Sequence, residues 1–158
     1  LDSFPVRNAS ADEDAEFEQI FGSHPDTRRR VFPGVIDLNL NNIKAKKDKL
    51  TVFDYEWLVE CGLTKDFLLW RTLRYFFDAH GQIIRATTSP NNPCVELAQN
   101  LFIPEYIYKK FSPTFKKSKN YESLETGFQR YVGGTSACIN FHTKAISLCI
   151  VKQMINFR

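Results

Sequence analysis

Two stretches of this chain repeat their apolar residues with the helical period, and any fold it adopts has to bury both stripes. Between Lys65 and Asp78, Leu69, Leu73, Phe76 and Phe77 share one face, with Lys65, Arg71, Thr72 and Asp78 assigned to the rest of the circumference. Thr64 is placed to cap the start, and Gly81 is expected to end the helix. Between Tyr121 and Val132, the apolar set is Tyr121, Leu124, Phe128, Tyr131 and Val132, with Glu122, Glu125, Gln129 and Arg130 expected to face water. Gly133-Gly134 stops that helix. A shorter stripe, Phe17, Ile20 and Phe21, fits a small amphipathic helix within an otherwise polar segment 1–30. Fourteen Phe in 158 residues mean that the core leans on large rings, each burying roughly 150–250 Å².

Bulk composition narrows the classes. An apolar fraction of 43% with 25% charged residues is that of a folded, soluble domain. A formal charge of +3 with mixed signs argues against a nucleic-acid partner, which needs a basic face. No apolar run reaches the roughly 18 residues of a membrane span, and the N-terminus lacks the layout of a signal peptide. Cys61, Cys94, Cys138 and Cys149 lie far apart with no C-x-x-C, which reads as reduced thiols in a cytoplasmic protein. His24, His80 and His142 are isolated, so neither a zinc site nor a Ser-His-Asp arrangement has support. Arg28-Arg29-Arg30 reads as a solvated turn, and Lys109, Lys110, Lys116, Lys117 and Lys119 as a solvated basic edge that could touch an anionic glycan.

Elsewhere the pattern is of short pieces. Val31–Ile36 and Leu50–Phe53 are apolar segments flanking an Asn- and Lys-rich stretch, expected to form a hairpin-like arrangement. Residues 86–93 form a loop, and a short aromatic helix opens at Pro104. Ala145–Ile155 is apolar nearly all round, and periodicity leaves helix and strand open.

The chemistry-bearing stretch runs from Val35-Ile36-Asp37 through Asn42-Ile43 to Asp54-Tyr55-Glu56-Trp57. Reduced to its anchors it is D-x-x-x-x-N-I, a polar excursion, an apolar strand, and D-x-E-W. This resembles the kinase-like superfamily in its aminoglycoside phosphotransferase and choline kinase branch, of the type found in bacterial surface-polysaccharide enzymes. The resemblance covers roughly residues 31–134 and is specific only over 35–57. It implies an α+β fold, a kinase-like C-terminal lobe that is mainly helical with a small β element, over residues 31–134. Residues 135–158 would pack on it.

The resemblance also implies roles. Asp37 would orient the acceptor hydroxyl as the catalytic residue; Asn42 and Asp54 would ligate Mg2+ against the phosphates of ATP. Glu56 would support Asp54 or hydrogen-bond the loop. Phosphoryl transfer asks for such sparse hard oxygen ligands because it needs positioning and charge neutralisation more than covalent help. The sequence departs from the family at Val35, where a His is usual, and it has no Asp-Phe-Gly. The residues before Asp37 hold no G-x-G-x-x-G and no strand Lys, so a nucleotide-covering lobe would come from the remainder of a larger polypeptide. The implied function is phosphate transfer from ATP to a hydroxyl of a sugar or glycan. The alternative is a non-catalytic, degenerate kinase-like interaction domain of a polysaccharide-modifying glycosyltransferase or methyltransferase. Asp and Asn also favour turns for purely structural reasons, which leaves an Asn-rich hairpin loop as the competing account of the motif.

Overall fold

Ser10 starts the first helix by accepting the Glu13 backbone N–H, while the Glu13 carboxylate accepts the Ser10 N–H in return. This reciprocal cap satisfies two donors at the helix start, and helix α1 runs Ala11–Phe21. Its Phe17, Ile20 and Phe21 are buried in the core as the periodicity requires. In this computed structural model, residues 5–23, 28–38, 40–46, 49–52, 57–91, 93–97 and 101–133 are described. The segment 135–158, and with it Ala145–Ile155, lies outside the described residues.

The architecture is α+β. Among the described residues, eight short strands form four antiparallel pairs alongside five helices. Strand β1 (Val6–Asn8) pairs with β2 (Arg29–Val31), β3 (Gly34–Val35) with β6 (Leu58–Val59), β4 (Ile43–Lys46) with β5 (Lys49–Val52), and β7 (Cys94–Leu97) with β8 (Leu101–Pro104). The expected pairing of the two apolar segments is therefore corrected. Leu50 pairs with Ala45, inside the Lys-rich stretch, because Ile43 and Ala45 alternate with Lys44 and Lys46 opposite a matching alternation in β5. Val31 instead bridges Leu63, and the β3·β6 pair continues that ribbon beyond the cis Phe32–Pro33 bond.

Helix α2 spans Lys65–Ala86, capped by Thr64 accepting the Phe67 N–H. It does not stop at Gly81, which is buried within it. A mid-helix glycine costs only about 1 kcal/mol. Packing of α2 on β8, with the Arg85 guanidinium 5.2 Å from the Phe102 ring centre, outweighs that cost. Two short helices follow, α3 (Glu105–Lys110) and α4 (Ser112–Lys116), and then α5 (Ser118–Gly133). Helix α5 crosses α1 at Gly127, where an added Cβ would collide with the Phe21 backbone.

The core is a ring cluster around these helices. Phe21 stacks between Phe17 and Phe128, while Phe67 and Trp70 stack on one another beside Tyr121. Arg30 is corrected from a solvated turn to a buried strand residue. Its guanidinium donates to the Glu13 and Cys61 carbonyls, both at 3.0 Å, and pairs with Asp14 at 2.5 Å above the Phe17 ring. A buried arginine with that many acceptors is tolerated because its donors are matched. No helix among the described residues is long and apolar enough to cross a membrane.

Candidate functional site around Asp37

The loop that leaves β3 carries Asp37, and the chain returns beside it through β6. The Ile36 N–H donates to the Trp57 carbonyl at 3.2 Å, and the Trp57 N–H donates to Asp37 Oδ2 at 3.1 Å. The pairing of β3 with β6 thus places the residue that follows Asp54-Tyr55-Glu56 against Asp37. Asp54 and Glu56 themselves lie outside the described residues.

From Asp37 a single 3-10 turn, Leu40–Asn42, swings Asn42 back over the loop. The Asn42 amide nitrogen donates to the Asp37 carbonyl at 3.2 Å. Ile43, next in the chain, pairs with Val52, so the β4–β5 hairpin brings its far end back level with Asn42. Asp37 and Asn42 are brought together as the spacing implies.

Helix α2 fixes this loop from below. Arg71 donates to the Ile36 carbonyl at 2.5 Å and stands 3.9 Å from Asp37 Oδ1. Thr72, one residue on, shares its hydroxyl proton between the Leu38 and Leu68 carbonyls. The Arg71 Nε donates to Glu125 of α5 at 2.8 Å, and Tyr75 and Gln129 donate to the other Glu125 oxygen at 2.7 and 2.8 Å. Arg71 and Glu125 are each 8% exposed. Burial alone would push the Glu125 carboxyl up, but Arg71, Tyr75 and Gln129 together hold it below the ordinary carboxylate range. The Tyr75 hydroxyl is pushed up by burial and by its bond to Glu125.

Periodicity places Arg71 and Thr72 off the apolar stripe and turns Glu125 to water, whereas the structure buries all three. Helical spacing reports where a residue sits, not whether a charge there has a partner to be buried with. One signal was legible: an Arg inside the apolar run Phe67-Leu68-Leu69-Trp70-Arg71-Thr72-Leu73, whose neighbours leave little room for a solvated guanidinium.

The arrangement presents one carboxylate, 21% exposed in its side chain, held by a backbone donor and backed by a fixed cation, with the Asn42 amide nitrogen bonded to its backbone carbonyl. Such a pair can orient a hydroxyl and contribute one hard ligand to Mg2+. Among the described residues, no three His, Cys, Asp or Glu side chains gather as a metal site. The contact that Asn42 makes runs from its amide nitrogen to the Asp37 carbonyl, and Asp54 lies outside the described residues. No family model matches the chain, and no curated protein or solved structure matches it.

Proposed function

We propose that this chain is a kinase-like C-terminal-lobe unit that positions a sugar or glycan hydroxyl for phosphate transfer from ATP. The observation that supports it is the loop's double closure: Asn42 bonds the Asp37 carbonyl while Trp57 bonds the Asp37 carboxylate. A structural Asn-rich turn needs the first bond, to the Asp37 backbone carbonyl, alone; the second brings Trp57, at the end of the D-x-E-W stretch, to the Asp37 carboxylate. In this reading Asp37 would hold the acceptor hydroxyl and take its proton as the hydroxyl oxygen bonds the γ-phosphorus and the bond to the departing ADP breaks. Asn42 and Asp54 would be the residues to hold Mg2+, whose chemistry when bound would be to neutralise phosphate charge. Glu56 steadies Asp54 or the loop, and a nucleotide-covering lobe comes from elsewhere in the functional protein.

The test is paramagnetic. Isotopically labelled protein is titrated with Mn2+ and ATP. Line broadening is expected to centre on the backbone amides of Ile43 and Trp57, and to disappear in the Asn42→Ala, Asp54→Asn double variant. Broadening centred on the acidic first turn of α1 instead, or unchanged in the double variant, would sink the proposal.

A second reading, a degenerate interaction domain, is favoured by Arg71 standing beside Asp37 Oδ1, since a carboxylate spent on internal contacts has no need of a substrate. The two readings part at Asp37→Asn. A purely structural carboxylate costs stability when neutralised, whereas a catalytic one costs rate with the fold intact.

A further inference from the structure

A hollow of about 320 Å³ opens where α2, α4, α5 and the β7–β8 hairpin meet. That is at the lower end of the size of ligand pockets, roughly 300–1,000 Å³, and suits one ring-sized unit. It shares no lining residue with the Asp37 loop. Trp70 and Phe115 form its floor, and Leu97 and Leu101 form an apolar wall. The floor is stiff: the Trp70 indole N–H donates to Ser118 Oγ at 3.0 Å, and the Arg74 guanidinium lies 5.3 Å from its ring centre.

The rim is charged with both signs, unequally used. Arg74 pairs with Glu122 at 3.4 Å across the mouth. Lys116 and Lys119 line the hollow from two sides of the α4–α5 corner and make no ion pair among the described residues. Asp78, one turn beyond Arg74 on α2, is an exposed acceptor on the opposite rim. Two ammonium groups call for an oxyanion, Asp78 accepts hydroxyl protons, and the Leu wall accepts a C–H face.

We propose that this hollow is a binding site for a sugar unit carrying a phosphate or a carboxylate. A nucleotide base would need an exposed ring to stack on, and Trp70 and Phe115 are too buried to offer one. A bare anion would leave Asp78 and the apolar wall without a role. The inference does not depend on Asp37 and stands whether or not the chain supports phosphate transfer.

The experiment is a titration of labelled protein with glucose 6-phosphate and with glucuronate, against glucose and inorganic phosphate. Both charged sugars are expected to bind at least tenfold more tightly than glucose, shifting the Trp70 indole, Ser118 and Lys119 signals; the tighter of the two identifies the anionic group. Lys116→Gln with Lys119→Gln should weaken binding about tenfold, while Lys109→Gln with Lys110→Gln, on exposed lysines outside the hollow, should not. Because all four lysines are exposed, each variant's retained spectrum reports its fold. Inorganic phosphate binding as tightly as glucose 6-phosphate, equal affinity for glucose, or equal losses in the two lysine pairs would each overturn the proposal.

Discussion

Replacing Arg71 by Met would leave the Glu125 carboxylate buried without its cation and the Ile36 carbonyl without its donor. Breaking a buried pair from one side costs about 3–5 kcal/mol, a large share of the roughly 5–15 kcal/mol that holds a domain folded. Denaturant melts of Arg71→Met should show a loss of that size, and the double replacement of Arg71 and Glu125 by apolar residues should recover part of it. Glu125 also writes a pH signature. Its folded carboxyl lies below its ordinary 4.5, so its contribution is complete above 4.5 and is lost as pH falls through the lower folded value. Stability measured from neutral pH downward should therefore fall less steeply in Glu125→Gln, although that variant starts from a lower value. Cys61 is fully buried, and burial pushes its thiol up to about 12, with Glu16 adding to the shift. Iodoacetamide at neutral pH should leave Cys61 unmodified in the native protein and label it in denaturant, as peptide mapping would record. If phosphate transfer is its task, Asp37→Asn should lower that rate by about 10²–10⁴-fold with the melting curve little changed.

Among the elements, the crossing of α1 over α5 is the most sensitive to a single added atom. Gly127 lets the Phe21 backbone approach α5 so closely that a methyl group cannot enter without moving a helix. Gly127→Ala gains about 1 kcal/mol of helix propensity but forces an overpacked contact worth about 1–3 kcal/mol. The net loss should appear in melts, together with altered spectra for Phe17, Phe21 and Phe128, which stack beneath the crossing. The strands behave differently from the helices. The stripes of α1 and α5, and the Thr64 cap of α2, were legible because a helix states its period over several turns. The β4–β5 hairpin was legible only as a polar excursion: in four-residue strands that alternate with polar residues, two apolar residues per strand give too short a signal. The β7–β8 hairpin, with Phe102 and Ile103 buried under α2, had no sequence signature at all beyond its apolar second strand.

For the whole molecule, the N-terminal segment belongs to the core. Phe17 and Phe21 stack into the ring cluster and Arg30 ties α1 to the Cys61 carbonyl. Removing residues 1–22 takes away two buried rings, each worth about 3–5 kcal/mol in truncation, and should leave a chain without dispersed amide resonances or a cooperative melt. The sequence by itself determined the two long amphipathic helices, the burial of Phe17, Ile20 and Phe21, and the proximity of Asp37 to Asn42, which a five-residue spacing nearly enforces. All of these follow from local periodicity or from chain connectivity. Only the tertiary structure decided that Arg71 and Thr72 reach under the Asp37 loop, that Glu125 turns inward to meet them, that Arg30 is buried, and that α2 runs on through Gly81. Each of those outcomes pairs groups far apart in the chain. A buried charge is stable only when its partner arrives from another element, and no local pattern records that arrival.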